Sequence, residues 1–253
     1  MSPLAAATPE VDWRLGVVLV VLVGIAATTS RVAEIGVERD QITAAVRAVA
    51  QLAVVALVLT AVLDQLGLTF AFVALMFVVA TATSTRRVGV RPAEARWIAA
   101  AIAAGAVPVV GLVLASGVIP FNGVGIIPIA GIVIGNAMTA ATLSGRRAFA
   151  ELAAQRGAYE AGLALGLQQH ESARLVVQPS AKEALLPGLD QTRTVGLVTL
   201  PGAFVGVILG GGTPLEAGAA QVLVLVGLLA AQAVTTACTL QLIAHGKLSH
   251  RDR

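Results

Sequence analysis

Long runs of apolar residues separated by short polar segments dominate this chain. Seven blocks can be read: Val11–Ser30, Ile42–Leu63, Thr69–Ser84, Trp97–Gly117, Gly125–Ser144, Thr194–Gly211 and Ala217–Ala244. A helix needs about 20 apolar residues to cross about 30 Å of hydrocarbon, and Thr69–Ser84 is the shortest of the seven. The apolar residues come in blocks, not at helical or strand spacing, so each block predicts a membrane span. Lipid offers backbone groups no partner, so every span is predicted to be helical. The fold class that follows is all-α: a polytopic helical membrane protein with about seven transmembrane helices, one permease-sized domain over residues 1–253. The only long polar stretch is the loop at about 145–193. Its Ala, Leu, Glu, Gln and Arg content, with few breakers before Pro179, predicts two or three helices. Leu163, Leu167 and Leu175 would line one apolar face of them.

Composition agrees. The chain is 57% hydrophobic and 12% charged, with a mean hydropathy of +0.87, whereas a soluble domain carries roughly a quarter charged residues. The net charge of +3 does not point to nucleic acid, because the basic residues sit in the short loops. With seven spans and the N-terminus outside, all of the 17 Lys and Arg except Arg14 and Arg47 fall on the inside. The positive-inside rule therefore sets the N-terminus outside and the C-terminus in the cytoplasm of a multi-pass plasma (inner) membrane protein. Trp13 and Trp97 lie at block edges, where indoles prefer the interface. The N-terminus lacks a basic n-region, so retention as the first span is expected; the alternative is a cleaved signal ending near Ala26-Ala27. The single cysteine, Cys238, excludes an internal disulfide or a cysteine metal cluster.

The candidate chemistry is sparse. The 14 acidic residues fall in loops, the N-terminal tail or span edges, so no intramembrane carboxylate or histidine relay for proton coupling is visible. An external energy source is expected. Arg47 is the charged group inside a block, with Gln51 one turn on. The pair either snorkels to the headgroups or forms a polar contact at the mouth of a pathway. In the fifth block Gly131 and Gly135 form a small-xxx-small pair, and Asn136, Met138, Thr139 and Thr142 follow. Asn136 and Thr139 either bond to neighbouring helices or line a path. In the sixth block Thr199 and Pro201 mark a polar position and a kink. In the last, Gln232, Thr235, Thr236 and Thr239 share a face, for which interhelical packing is the expectation. No phosphate loop, nucleophile elbow or metal-spaced His/Cys/carboxylate cluster occurs. The chain is therefore not expected to be an enzyme or to bind a cofactor, and any ATP would be hydrolysed by another subunit. Metal ligands remain unknown at this level.

One cytoplasmic segment is more telling. Glu160-Ala161-Gly162-Leu163-Ala164-Leu165-Gly166, with Val176 and Pro179 beyond, resembles the loop by which ABC permeases grip their ATPase. Further residues extend the likeness: Arg47-Ala48 with Gln51-Leu52, Ile127-Pro128-Ile129-Ala130-Gly131, Gly135-Asn136-Ala137-Met138, Leu186-Pro187 with Asp190, and Thr194 to Val198 with Leu200-Pro201-Gly202. Together they resemble the FetB-type iron-export permease family of ABC transporters, with plant relatives linked to aluminium tolerance. The resemblance implies a homodimer in the lipid bilayer joined to a separate cytoplasmic ABC ATPase. It also implies ATP-driven export of iron or another metal ion. Glu160, Ala161, Gly162, Leu163, Leu165, Gly166 and Leu167 would form the coupling helix, with Gly166 in a tight turn and Pro179 ending or bending the next helix. Arg47, Gln51, Asn136, Met138, Thr139, Thr199 and Pro201 are the candidate path residues. The general pattern has Ala where this chain has Gly162, and Leu where it has Gln178. The alternatives are an ion-gradient-driven secondary transporter and a non-transporting anchor or regulator of an ATPase.

Overall fold

The structure is a computed structural model that describes residues 12–251. Its described residues form α1 (Trp13–Val32), α2 (Glu38–Asp64), α3 (Leu66–Val88), a 3-10 turn (Pro92–Glu94), α4 (Ala95–Ala115), α5 (Gly123–Ala154), α6 (Arg156–Ala164), α7 (Gln169–Thr194), α8 (Gly202–Leu209) and α9 (Pro214–Ala244). Among them there is no strand, only two isolated bridges. Six helices, α1 to α5 and α9, are long and apolar enough to cross a membrane.

The block Thr194–Gly211 departs from expectation. It is not one helix. α7 ends at Thr194, the chain turns through 195–201, and α8 adds only 8 residues, about 12 Å of rise. Local chemistry explains the break. Gly196 takes a left-handed φ of 82°, which costs glycine little. The N–H groups of Gly196 and Val198 donate to Thr199 O and Thr194 O, both at 2.9 Å. Pro201, with no N–H to give, then caps α8 in an extended conformation. α3 is longer than its apolar block, and α5 continues past Ser144 to Ala154, 32 residues in all, or about 48 Å. α5 therefore projects beyond the hydrocarbon. Pro179 neither ends nor starts a helix; it lies inside α7, as does Pro187.

The chain divides into two compact units at Val62/Leu63. In the first, α1 and α2 are joined by a turn with Glu34 at φ 54° and Gly36 at φ 76°. Ser30 Oγ donates to Gln41 Oε1 at 3.0 Å across it. Both helices expose apolar side chains along their length, as lipid-facing helices do.

The second unit is built around α5 and α9. α5 packs on α3, α4, α7 and α9; α9 packs on α4, α7 and α8 as well. Ile98 and Ile102 of α4, Val133 and Ala137 of α5, and Leu228 and Ala231 of α9 are buried in one core. Small residues allow the close approach: a Cβ on Gly105 would collide with Thr235 Oγ1 and Ala231 O. α7 and α8 run antiparallel to α9. Ala173 shares a cavity wall with Ile243, Gly188 lies against Gln232, and the 210–213 turn returns α8 into α9. The chain end is tied back by the Val90–His250 bridge and by Ser249 Oγ donating to Glu94 Oε1 at 2.6 Å.

Candidate coupling helix and transport path

α6 and the start of α7 form a hairpin beyond the polar end of α5. α6 stops in a Schellman motif: Leu167 N–H donates to Gly162 O at 3.1 Å and Gly166 N–H to Leu163 O at 3.0 Å. Gly166 takes φ 91°, which explains a glycine there. α7 opens with a capping box, Gln168 N–H donating to Glu171 Oε2 at 2.8 Å. Ser172 Oγ donates to Tyr159 O at 2.6 Å and locks the two helices together.

This hairpin explains Gly162. It is the buried residue of α6, and a Cβ there would run into Ser172 Oγ. Alanine, the residue of the general pattern, does not fit. Glu160 is exposed and pairs with Arg156 at 2.9 Å, an arrangement worth little in water. Ala161 is exposed, Leu163 and Leu167 are half-buried, and Leu165 projects at 84% exposure. The expected shared face of Leu163, Leu167 and Leu175 is therefore divided: Leu175 points outward at 66% exposure. Beside the hairpin lies a cavity of about 690 Å³ lined by Tyr159, Gln168, His170, Ile243 and His245. The rings of His170 and His245 stack in it at 4.9 Å, a pairing that sequence separation conceals.

The candidate path residues fall in different places. Asn136 on α5 accepts from Gln232 Nε2 of α9 at 2.9 Å through Oδ1, while its Nδ2 donates to Ile132 O at 2.9 Å. Gln232 is buried, and its Oε1 lacks a hydrogen-bond partner; it rests on Gly188 of α7, where a Cβ would collide with it. Thr139 is exposed and bonds back to Gly135 O at 3.0 Å. Met138 is half-buried against the core, and its carbonyl accepts from Thr142, whose hydroxyl also reaches Ser84 on α3 at 3.1 Å. Gly131 meets Met76 of α3, but Gly135 faces open space, so only half of the small-residue pair makes a helix contact. Thr199 is exposed in the α7–α8 break and Pro201 caps α8. Arg47 and Gln51 are exposed on α2, in the other unit. Thr235, Thr236 and Thr239 are buried in helix packing, as their shared face predicts.

A pair that sequence reading missed begins two residues past Gly188, on the other side of α7. Arg193 Nη1 is 3.5 Å from Asp190 Oδ1, and the two side chains are 67% and 66% exposed. Gly188 is level with Asn136 and Gln232, and Asn136 lies near the centre of α5's uncharged stretch, Val124 to Leu143. The pair lies on the exposed face of α7, a helix that packs along α9 but is not among the six apolar, membrane-length helices. The acidic residues within the six membrane-length helices, Glu38, Asp40, Glu94, Glu151 and Glu216, lie at their ends. The sequence predicts helices here but not their partner; the packing of α7 on α9 is the signal that sequence lacks. Among the described residues, no three His, Cys, Asp or Glu converge as a metal cage.

Residues 13–246 match UPF0014, described as an uncharacterised protein family. The chain belongs to the UPF0014 family. It is 35% identical over 217 residues to UPF0014 membrane protein STAR2 of Oryza sativa subsp. japonica, covering 85% of this chain and 76% of that one. It is 32% identical over 207 residues to Protein ALUMINUM SENSITIVE 3 of Arabidopsis thaliana, covering 81% and 76%. It is 30% identical over 219 residues to the "Probable iron export permease protein FetB" of Escherichia coli (strain K12), covering 85% and 84%. No solved structure matches the chain. This UPF0014 protein is thus a multi-pass helical membrane protein, and the resemblance read from its sequence stands. The matched residues run from the start of α1 past the end of α9, so they include the α6–α7 hairpin and the α7–α8 break.

Proposed function

We propose that this UPF0014 protein is the transmembrane permease subunit of an ABC-type exporter. It works as a homodimer with a separate cytoplasmic ATPase and carries iron or another metal ion. The observation that carries the reading is the α6–α7 hairpin: a short, capped helix held rigidly beyond the membrane, with Leu165 projecting from its end. Such a helix seats in a groove of a partner and passes on rigid-body movement. Leu165 is the apolar anchor, Glu160 lies on the rim, and Gly162, Gly166 and Leu167 shape the hairpin.

The path of the movement follows from connectivity. α7 is a single helix of 26 residues, about 39 Å. Its first turn is locked to α6 by Ser172, its middle seats Gln232 at Gly188, and its end is the break at 195–201. A displacement of α6 is thereby delivered to the Asn136–Gln232 bond and to the break. We assign the seventh crossing to the second half of α7, the break and α8. Broken helices of this kind occur where backbone lines a cavity or is buried in protein. Asn136, Thr199 and Pro201 belong to the moving region, whereas Met138 supports packing. The basic inner end supports the orientation: Arg86, Arg87, Arg146, His250 and Arg251 line one cavity of about 1210 Å³ there. Iron as cargo is carried over from the FetB relative's printed name.

The test is metal flux. The chain and its ATPase in proteoliposomes should move iron(II) only with hydrolysable ATP. Flux by the chain alone, driven by a sodium gradient, would replace this reading with the secondary transporter. ATPase binding with no flux of any metal ion would leave a non-transporting anchor.

A further inference from the structure

We infer that the basic cavity at the inner end of α3 and α5 holds the phosphate headgroup of an anionic phospholipid. Depth comes first. α3 is uncharged from Leu66 to Thr85 and α5 from Gly123 to Gly145, about 30 Å and about 35 Å of helix, enough to cross the hydrocarbon. The two stretches end side by side: Thr142 Oγ1 donates to Ser84 Oγ at 3.1 Å, and Gly145 lies against Val88. Arg86, Arg87 and Arg146 are the first charged residues beyond those ends, so they stand at the level of the lipid phosphates. The chain end brings two more basic groups to them. Arg251 N–H donates to Gly89 O at 2.8 Å, Ser249 is held by Glu94, and the His250 ring rests on Gly89 with its centroid 5.4 Å from that of Phe149.

The positive-inside rule accounts for basic residues on this side, but not for their convergence. Arg86, Arg87, Arg146, His250 and Arg251 come from three separate stretches of chain and line one cavity of about 1210 Å³, and no carboxylate lines it. Among the described residues, none of these four arginines has an ion-pair partner. Glu94, on the turn beyond Val90, accepts from Ser249 through both of its oxygens. Arg147, the next residue along α5, is the contrast: it stands outside the cavity wall and pairs with Glu183 of α7 at 2.6 Å. Guanidinium forks without a counter-ion match the oxygens of a phosphate. Phe149 and Ala150 give the same cavity an apolar wall, which suits the glycerol and first acyl carbons of a lipid better than a bare inorganic ion. Basic pockets between spans on the cytoplasmic side bind lipid headgroups of this kind.

The test is lipid binding by the full-length chain in a neutral detergent, with fluorescent short-chain phosphatidylglycerol as the probe. It should bind at least tenfold more tightly than the phosphatidylcholine analogue, and more weakly as salt rises. Arg86→Gln/Arg146→Gln should weaken binding about thirtyfold, since about fivefold for each arginine at a membrane surface compounds. Arg147→Gln should leave it unchanged. Arg251→Gln, outside the helices, should show a loss of about fivefold and keeps the test open where the double variant does not fold. Equal affinity for the two lipids overturns the inference, as does wild-type affinity in the arginine variants of the cavity. Inorganic phosphate that displaces the probe as readily as unlabelled phosphatidylglycerol assigns the cavity to a soluble anion and overturns the lipid. Lost ATPase binding in the double variant, with lipid affinity unchanged, makes the cavity a protein contact and likewise overturns it. Neither ATPase nor cargo enters the lipid measurement, so its failure is distinct from a failure of the permease reading.

Discussion

At position 188 a Cβ would take the place of Gln232 Oε1. Gly188→Ala must therefore push the amide off its seat and strain its 2.9 Å bond to Asn136. Overpacking of this kind costs about 1–3 kcal/mol. Unfolding in detergent should show that loss for Gly188→Ala alone, and much less of it in a Gln232→Ala background, where the clash is gone. Additive losses in the double-mutant cycle would contradict the contact. Sequence reading reached half of this arrangement. The shared face of Gln232, Thr235, Thr236 and Thr239 follows from helical period, and all four side chains are buried. Gly188 carries no such signal, since its importance comes from a residue on another helix. Gly162 is similar: the sequence marks it only as a weaker helix former, and Ser172 Oγ supplies the reason for its presence.

The break between α7 and α8 is the element on which hydropathy and backbone part company. Residues Thr194–Gly211 are apolar enough to read as a span, because hydropathy sums solvent preference and is blind to chain continuity. Gly196 and Pro201 were the available signals, and they produce an interruption where a kink was expected. The helix before the break gave no such signal: hydropathy does not show that α7, with its charged residues, packs along α9. Gly196→Ala places a Cβ at φ 82°, which costs about 1–2 kcal/mol in the left-handed region. It is expected to lower ATP-driven flux while α6 still engages the ATPase. Flux at the wild-type rate would show that the break is inert. The remaining spans and the helical loop were legible because long apolar runs and capping residues are local properties; their boundaries shifted where helices outlast their apolar runs, as α5 does.

For the whole molecule, six helices are long and apolar enough to cross a membrane, and the proposed seventh crossing through α7 and α8 would make the count odd and put the two termini on opposite faces. Reporter fusions or accessibility tags should place the N-terminus outside and the C-terminus inside, together with α6 and the cavity lined by Arg86, Arg87, Arg146 and Arg251. Both termini on one side would remove the seventh crossing. The central claim, that α6 couples this UPF0014 permease to an ATPase, is tested most directly by ATP hydrolysis in proteoliposomes with wild type and Leu165→Glu compared. Leu165 is 84% exposed, so the substitution leaves the fold intact and places a charge on the docking anchor. The account predicts that wild type stimulates the ATPase and that Leu165→Glu loses at least tenfold of that stimulation while remaining stably inserted. Equal stimulation by the two proteins would contradict it.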